Sequence, residues 1–400
     1  MAIVGLGGAV ATTAVAGMEL LRQGRVDTRG LPLAGVKGLG LVEYGALTFG
    51  GWDLFEEDLV QAARHHAVLT EAQLEAVAPT LGRMRPWPAA SNTKFCKNVV
   101  GTAVKQARSL REQVQVLRDD LTRFKKDERL DRVVVVNLAS TEKSVDPTRP
   151  EFATPESFEK ALDANAPDIG PAMLYAYAAI VDGIPFANFT PSVASDIPAL
   201  LALAKRTGAP LAGKDGKTGQ TLLKTVLAPA LRDRALHVDG WYSTNILGNR
   251  DGEALDDPAS KQNKLDTKGA ALDSILGYKV QDHIVQIQYY RPRGDNKEAW
   301  DNIDVTGFLG QPMQLKLNFL CKDSILAAPL VVELARTLDL ARRRGEGGVI
   351  DALGCFFKAP MSPDGQPVEH AMAEQQRHLM AWLAQGRAHQ VERAPERLRG

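Results

Sequence analysis

The chain has 400 residues, of which 44% are hydrophobic, and its 48 basic side chains equal its 48 acidic ones in number. This length allows a sizeable core and two or three domains, while the neutral balance argues against a chain-wide surface for nucleic acid. Cys96, Cys321 and Cys355 are odd in number and far apart, which argues against a disulfide framework or a cysteine zinc site. The seven histidines are scattered, so a dedicated histidine metal site is not expected.

The apolar beginning of the chain, residues 1–18, does not have the pattern of a signal peptide. It lacks a basic start, contains several glycines and runs into Glu19 and Arg22. Apolar runs elsewhere stay below the roughly 20 residues that a bilayer-spanning helix needs. We therefore expect a soluble, cytoplasmic protein with neither nucleic acid nor membrane as a partner.

The stretch AIVGLGGAVATTAVAGMELLRQG predicts a short strand, a glycine turn and a helix that ends near Gly24. Gly5, Gly7 and Gly8 form G-x-G-G, which is only part of the dinucleotide fingerprint G-x-G-x-x-G. Small residues from Ala9 onward would let a pyrophosphate approach the helix N-terminus. A purely structural turn between a buried strand and a helix explains the same residues and stays open.

Strand and helix patterns then alternate along the chain. A charged segment at residues 109–132 has an apolar stripe at helical spacing, and RVVVVNLAST after it is typical of a buried parallel strand. PFANFTPS and APLAG predict two further strands, each preceded by a helical pattern. This alternation predicts a doubly wound parallel sheet, in which ligands bind at the carboxyl ends of the strands. The polar residues expected there are Asn137, Ser140, Asn188, Thr190, Ser192 and Asp215.

The stretch GAPLAGKDGKTGQT, which begins at Gly208, nearly matches the triphosphate-binding motif G-x-x-x-x-G-K-[ST]. Gly213 and Lys214 fit the motif, but Asp215 occupies the position of the hydroxyl that would bind magnesium. The order of strand, loop and helix agrees with a damaged P-loop. The missing hydroxyl favours a lysine-rich site of another kind.

From about residue 236 the pattern changes to alternating apolar and polar residues, as in HIVQIQYY and MQLKLNFL. These segments predict half-exposed strands of a mixed or antiparallel sheet, which runs to about residue 321. Three helices are predicted after it, in KDSILAAPLVVELARTLDLARRR, GVIDALGCFFKAP and EHAMAEQQRHLMAWLAQ. The last residues, from His389, are polar and charged, and we expect a flexible tail.

Six lysines stand at the ends of predicted elements, close to Asp or Asn residues. Lys264 and Lys268 lie at i and i+4, so a helix would place their ammonium groups on one face, where they repel unless an anion lies between them. Lys358 ends the apolar run GCFFKAP, an unusual place for a charge. Ordinary surface lysines are the alternative, but the joint pattern favours a phosphate pocket. The other members of the set are Lys217, Lys224 and Lys297.

A series of motifs then spans nearly the whole chain: FGGWDL, VNLASTE, MLYAYAA, PFANFTPS, GKDGKTGQTLLKTVLAP, STNILGNRDG, DNK, CKDSILAAPLVVELAR and FFKAP. In content and order they resemble the inositol-3-phosphate synthase family (also called myo-inositol-1-phosphate synthase), in particular its shorter archaeal and bacterial members. The resemblance implies an α/β fold with a Rossmann-like doubly wound NAD-binding domain at residues 1–225, completed by C-terminal helices at 322–388. It also implies an inserted α+β catalytic and oligomerisation domain at 226–321, with the flexible tail at 389–400. The near-match to a P-loop is then the lysine loop of the family.

The activity implied by the resemblance is the conversion of D-glucose 6-phosphate to 1D-myo-inositol 3-phosphate. NAD ends unchanged, because oxidation at C5 and enolization are followed by intramolecular aldol cyclisation and reduction. Such chemistry needs fixed cations near the oxygens on which charge develops. The resemblance further implies a homotetramer, and a divalent or a monovalent cation is compatible with it, without assigned metal ligands. A lysine and the substrate phosphate are both candidates for the enolization base.

The resemblance also implies the site residues. The catalytic ones are Lys264, Lys268, Lys297, Lys358, Lys217, Lys224 and Asp295. We expect Lys268 and Lys358 to polarise carbonyl groups and transfer protons, and Lys264 and Lys297 to contact phosphate or developing charge. The cofactor-binding positions are Gly5, Gly7, Gly8, Ala9, Asp53, Asn137, Ala139, Ser140, Asn188, Ser192, Asp215 and Asp323. Asp53 suits the adenosine ribose hydroxyls, although it lies farther from the glycine turn than is usual.

Two other functions stay open. An NAD-dependent sugar-phosphate dehydrogenase would release NADH, but it leaves the lysine set unexplained. A non-catalytic NAD-binding relative would share the glycine turn, yet it would have no reason to keep both Lys268 and Lys358.

Overall fold

The structure is a computed structural model that describes residues 1–97, 99–248 and 271–392. The strands are β1 (Ala2–Val4), β2 (Gly50–Asp53), β3 (Trp87–Pro88), β4 (Val135–Asn137), β5 (Phe186–Asn188), β6 (Pro210–Gly213), β7 (His237–Leu247), β8 (Asp282–Tyr289), β9 (Asn296–Thr306), β10 (Pro312–Lys322) and β11 (Gly348–Val349). The helices are α1 (Ala9–Arg22), α2 (Leu59–His66), α3 (Glu71–Leu81), α4 (Leu110–Asp127), α5 (Pro155–Asp163), α6 (Pro171–Ile180), α7 (Pro198–Thr207), α8 (Gly219–Asp233), α9 (Asp323–Arg344) and α10 (Met372–Glu392). Residues 271–276 are also helical.

Seven parallel strands form the larger sheet, in the order β11-β6-β5-β4-β1-β2-β3. Both faces are covered by helices, so the strands are short apolar runs without alternation. Ala2 and Val4 of β1 pack into a core with α4 and α6, whereas Ile3 packs into a second core with α1 and α9. The strand order reverses between β1 and β4, which makes this the switch point of the sheet. The predicted doubly wound fold is confirmed.

The smaller sheet has four strands in the order β10-β9-β7-β8, with β7 and β8 parallel and the other pairs antiparallel. One face packs on α8 and residues 271–276 through an apolar cluster that includes Trp241, Leu272 and Ile303. Trp300, Tyr242 and other side chains point away from that face and are exposed. The α9 helix begins directly after β10 and returns to pack against the larger sheet. The domain boundaries named above stay a prediction.

The helix predicted for GVIDALGCFFKAP is wrong at its beginning. Gly348 and Val349 extend the larger sheet by pairing with β6, and a 3-10 helix, Asp351–Phe356, follows them. Gly348 has a φ of 78°, a conformation that glycine adopts readily and that interrupts an α-helix. In the predicted tail, α10 continues to Glu392, and residues 393–400 lie outside the described residues.

Candidate active site

A cleft opens at the carboxyl ends of the central parallel strands, next to the switch point between β1 and β4. Loops that follow β1, β2, β4, β5 and β6 meet there, as expected for ligand sites in open α/β sheets. Many of the predicted site residues line this cleft: Gly5, Gly8, Ala9, Asp53, Asn137, Ala139, Ser140, Asp215, Asp323 and Lys358. The tertiary structure therefore brings together residues that lie far apart in the sequence.

The glycine turn after β1 is held by Asp53 from the end of β2. Gly7 N–H donates a hydrogen bond to Asp53 Oδ2 over 2.8 Å, and Asp53 Oδ1 accepts from Leu54 N–H, also over 2.8 Å. Gly5 has a φ of 88°, and a Cβ atom there would lie 3.1 Å from Leu138 O, so glycine is required. Gly8 provides no side-chain cap, which leaves backbone N–H groups of the first turn of α1 facing the cleft. These features fit the pyrophosphate of a dinucleotide.

Asn188 and Ser192 lie behind the cleft wall and hold the ends of the strands together. Asn137 Nδ2 donates to Asn188 Oδ1 over 3.2 Å, and Asn188 Nδ2 donates to Ser192 O over 2.7 Å. Glu142 N–H donates to Ser192 Oγ over 3.0 Å. Both residues are buried, so the structure places them where they position Asn137 and the loop after β4.

Lys358 and Asp215 form a buried ion pair in the wall of the cleft. Lys358 Nζ lies 2.7 Å from Asp215 Oδ1, and the two residues are only 5% and 3% exposed. The backbone N–H of Lys358 also donates to the carbonyl oxygen of Asp215, which joins the loop after β6 to the end of the 3-10 helix. The carboxylate offsets the unfavourable burial of the ammonium group. The pair thus supplies a cation whose position is fixed by the backbone.

Lys297 on β9 forms the second lysine pair, with Asp323 at the start of α9. Its Nζ lies 3.3 Å from Asp323 Oδ1, which also accepts from Thr218 Oγ1 over 2.9 Å. Asp295 does not face the cleft: it accepts hydrogen bonds from Ser324 N–H and Oγ and thereby fixes the beginning of α9. Asp295 is therefore placed to hold Asp323, and through it Lys297.

The first turn of α8 lies beside Lys297 and has no side-chain cap. Thr218 stands at the N-cap, but its hydroxyl is turned to Asp323. Gly219 has a φ of 53°, and a Cβ atom there would lie 3.7 Å from Lys297 Cε and 3.8 Å from Nζ. Backbone N–H groups and an ammonium group thus face the same space, an arrangement suited to an anion.

A buried amide network continues from this turn. Asp301 accepts from Trp241 Nε1 and Ser243 Oγ, each over 2.7 Å, and from Gln220 Nε2 over 3.2 Å. Because a carboxylate can only accept, Gln220 turns its Oε1 to Asn245 Nδ2, with which it forms a short hydrogen bond. Asn245 Oδ1 is buried and has no hydrogen-bond partner among the described residues, so it is available to a ligand. No sequence pattern predicted this network, although Gln220 lies in GKDGKTGQTLLKTVLAP and Asn245 in STNILGNRDG.

Lys217 and Lys224 lie away from the lining of the cleft. Lys217 points to the C-terminal helix, where its Nζ forms a short hydrogen bond with Gln375 Oε1. Lys224 Nζ lies 2.7 Å from His283 Nε2. Burial lowers the pKa of each lysine to about 8. Both amines are thus buried against neutral acceptors.

Further residues line the cleft without having been singled out in the sequence. Glu142 accepts from Ala172 N–H over 2.9 Å, and burial raises the pKa of its carboxyl group to about 8. Tyr175 accepts from Ala90 N–H over 2.8 Å, and His66 Nε2 lies 2.9 Å from Gly7 O. The sequence could have indicated Glu142 as a site residue, because it stands in VNLASTE shortly after the end of a predicted strand. His66 and Tyr175 lie within helices and carry no such signal.

The predicted catalytic residues Lys264 and Lys268 lie outside the described residues. In the part of the chain that is described, no three His, Cys, Asp or Glu side chains are grouped so that they could hold a metal ion. Residues 1–97, 99–248 and 271–392 also contain no helix long and apolar enough to cross a membrane. The cytoplasmic location stays a prediction.

The fold and the cleft define a dinucleotide-binding α/β protein with a second, lysine-bearing sheet. A family model described as myo-inositol-1-phosphate synthase, of the NAD-binding type, matches residues 31–384, and the chain belongs to that family. The resemblance noted in the sequence is thereby confirmed.

Similar proteins agree with this assignment. The chain is 41% identical to inositol-3-phosphate synthase 1 of Bacteroides thetaiotaomicron, over 95% of this chain and 94% of that one. It is 30% identical to the inositol-3-phosphate synthase of Spirodela polyrhiza, over 85% of this chain and 71% of the relative.

Among solved structures, a myo-inositol-1-phosphate synthase-related protein from Thermotoga maritima matches with a TM-score of 0.79 and 26% identity, covering 96% of this chain and 97% of that one. Inositol-3-phosphate synthase from Caenorhabditis elegans matches with a TM-score of 0.90 and 24% identity, covering 96% of this chain and 85% of that one. This match shows that the two proteins share a fold.

Proposed function

We propose that the protein is an inositol-3-phosphate synthase, which converts D-glucose 6-phosphate to 1D-myo-inositol 3-phosphate without net oxidation or reduction. The observation that carries the proposal is the buried Lys358–Asp215 pair in the wall of a dinucleotide cleft, in a chain of this family. Intramolecular aldol chemistry places negative charge on carbonyl oxygens. A cation held in advance in a poorly hydrated site stabilises such oxyanions strongly.

NAD is the cofactor of the family, and the residues of the cleft fit it. We assign the pyrophosphate to the glycine turn and the first turn of α1, and the adenosine ribose to Asp53. Asp53 Oδ1 accepts from the N–H groups of Leu54 and Phe55, whereas Oδ2 accepts from Gly7 N–H, so Oδ2 is the oxygen that we assign to a ribose hydroxyl. When bound, NAD supplies reversible hydride transfer, so that none is consumed in the net reaction.

Lys358 is the residue that we assign to the reacting carbonyl groups. Its ammonium group can donate a hydrogen bond to an oxygen that gains charge, while Asp215 keeps its position. Lys264 and Lys268 keep the roles implied by the family motif, and their geometry lies outside the described residues.

The substrate phosphate is assigned to the first turn of α8. The uncapped N–H groups after Thr218, the absence of a side chain at Gly219 and the adjacent Lys297 all support this position. Asn245 Oδ1, an acceptor without a partner among the described residues, suits a hydroxyl group of the sugar. The phosphate and the reacting carbon chain would then bridge the two sheets.

A homotetramer is the oligomer that we propose. On the smaller sheet, one face carries Lys297 and Asp301, whereas the opposite face exposes Trp300 and Tyr242 with other large apolar side chains. Exposed apolar faces of this kind are typical of subunit contacts, and a second copy of the chain is the occupant that the family favours. Light scattering after gel filtration tests this: a tetramer is expected for the wild type, and smaller species for Trp300→Lys.

The function is tested with purified protein, NAD and glucose 6-phosphate. Phosphorus NMR is expected to show inositol phosphate, while the absorbance of NADH shows no net increase. Lys358→Ala is expected to slow product formation by about 10²–10³ and to leave NAD binding intact, because the backbone N–H of residue 358 still donates to Asp215 O and anchors the loop. Lys126→Ala, which removes an exposed lysine from α4, is the matched control.

The same assay separates the rival functions. NADH that accumulates in step with loss of substrate would identify a sugar-phosphate dehydrogenase. NAD binding without any turnover, with divalent and with monovalent cations added, would identify a non-catalytic relative.

A further inference from the structure

Lys224 occupies an unusual environment between α8 and the smaller sheet. It is 3% exposed, and its Nζ lies 2.7 Å from His283 Nε2 and 5.6 Å from the centre of the Trp241 ring. Among the described residues, His283 is its hydrogen-bond acceptor, and no carboxylate lies within ion-pair distance. A buried amine with three hydrogens and one neutral acceptor is poorly compensated when it is charged.

His283 is neutral in this arrangement. An ammonium group can only donate, so when Lys224 is charged, Nε2 is the unprotonated ring nitrogen and the ring proton lies on Nδ1. Burial and the neighbouring Lys224 lower the pKa of His283 to about 4, so the ring stays an acceptor at physiological pH. The charged or titratable groups that face Lys224 in the described structure are therefore His283 on β8 and the more distant Asp301 on β9.

Lys224 is connected to the first turn of α8 by the helix and by a side-chain network. Gln220 lies four residues earlier on the same helix face, or about 6 Å along the axis. Lys224 Nζ lies over the Trp241 ring, whose Nε1 donates a hydrogen bond to Asp301. Asp301 also accepts a hydrogen bond from Gln220 Nε2. An anion at that turn would thus act on Lys224 through a buried medium of low dielectric constant, in which charges interact over longer distances than in water.

We propose that Lys224 takes up a proton when a phosphate dianion binds at the first turn of α8, and that His283 is the positioning residue that holds the amine for this step. The inference rests on the phosphate position in the proposed function. The proton passes from the solvent to Lys224 Nζ, and no bond of the ligand is broken. Binding of phosphate and the charge of Lys224 are thereby thermodynamically linked.

The expected size follows from the charges. Burial lowers the pKa of Lys224 to about 8, with Asp301 opposing this. A dianion some 8–10 Å away, at an effective dielectric constant near 20, raises the pKa of Lys224 well above that value. At pH 8.5 most of the free protein then carries a neutral Lys224 and most of the complex a charged one, so about half a proton or more is taken up per phosphate bound.

Isothermal titration calorimetry at pH 8.5 tests the proposal with inorganic phosphate as the probe. The heat is measured in two buffers of different ionisation enthalpy, and the difference gives the number of protons taken up. About half a proton or more is expected for the wild type and for the surface control Lys126→Met, and nearly none for Lys224→Met. An unchanged uptake in Lys224→Met, or none in the wild type, would overturn the proposal.

His283 is tested with two variants. His283→Gln keeps a neutral acceptor and is expected to retain the uptake, whereas His283→Leu removes the acceptor and is expected to lose most of it. If both behave alike, the positioning role is wrong. Should Lys224→Met fail to fold, the wild type and Lys217→Met decide together. Sulfate, whose charge is constant from pH 7 to 10, must cause proton uptake in both proteins that is largest between pH 8 and 9.5 and small at pH 7. Loss of the uptake in Lys217→Met would overturn the proposal.

Failure of this inference differs from failure of the proposed function. Formation of inositol phosphate with a proton uptake that does not depend on Lys224 contradicts the inference alone. Uptake that depends on Lys224 without formation of inositol phosphate contradicts the proposed function alone.

Discussion

Two kinds of buried lysine lie around the substrate region that we propose. Lys358 and Lys297 are paired with the carboxylates of Asp215 and Asp323. Lys217 contacts the amide oxygen of Gln375 instead, and Lys224 contacts the ring of His283. A carboxylate partner preserves the positive charge on burial, whereas a neutral partner leaves the desolvation of the ammonium group largely uncompensated.

Lysines with different partners are therefore suited to different roles. The carboxylate-paired lysines are suited to hold a permanent charge near a developing oxyanion. The lysines with neutral acceptors, whose pKa values are lowered to about 8, are suited to gain or lose a proton under physiological conditions. Residue type alone therefore does not define the role of a lysine in this protein; its acceptor does.

The largest effect is expected for Lys358→Met. Loss of a fixed cation beside the reacting oxygen should lower kcat by about 10²–10³, in line with the removal of one oxyanion-stabilising donor. Inositol phosphate formation is measured at saturating substrate, with NAD affinity measured separately. Lys217→Met is the matched comparison, because Lys217 is equally buried but faces the C-terminal helix. If Lys217→Met loses as much activity, the distinction between the two kinds of lysine fails.

A pH-dependent effect on stability, of about the same size in free energy, is expected for Glu142→Gln. Burial raises the pKa of Glu142 from 4.5 to about 8, so the folded wild type loses stability as the pH rises from 4.5 through 8, where the unfolded chain is already ionised. Gln keeps the shape and cannot ionise. Between pH 5 and pH 8 the variant should therefore gain roughly 3–4 kcal/mol in free energy of unfolding relative to the wild type.

Urea unfolding of both proteins at the two pH values measures this difference. Glu159→Gln, which changes a half-buried carboxyl group of α5 that accepts a hydrogen bond from Tyr177, serves as control. Equal pH dependence of wild type and Glu142→Gln would mean that the Glu142 carboxyl is ionised in the folded protein at neutral pH.

The smallest effect is expected for Lys217→Met, in the pH dependence of its free energy of unfolding. The pKa of Lys217 is lowered by burial, so the penalty for its charge is fully present below pH 8 and is relieved as the pH rises from about 8 toward 10.5. From pH 7.5 to 9.5 the wild type should gain about 2 kcal/mol relative to Lys217→Met. Chemical unfolding at both pH values provides the measurement. The opposite sign would place an anionic partner beside Lys217.

Much of the fold could be predicted because it depends on local patterns. The apolar run before Asn137, the glycine turn around Gly5 and the alternation in MQLKLNFL each indicate an element without knowledge of the rest of the chain. The strand at Gly348 could not be predicted, since two residues become a strand only by pairing with β6. Its pattern in isolation is that of a helix.

The candidate site divides in the same way. Sequence motifs pointed to Lys358, Asp215 and Lys297. The structure pairs Lys358 with Asp215 in the wall of the cleft and Lys297 with Asp323 beside it. Asp301 was missed because its importance depends on three donors from α8 and β7, which the sequence does not show to be neighbours.

The sequence by itself determined the parallel α/β sheet, the glycine turn and the family, because strand periodicity, turn residues and short motifs are local properties. Only the tertiary structure decided which acceptor each lysine meets: Asp215 for Lys358, Gln375 for Lys217 and His283 for Lys224. The physical reason is that the charge state of a buried amine depends on the solvent it loses and the partner it gains. Both are set by packing between segments that are more than 50 residues apart in the chain.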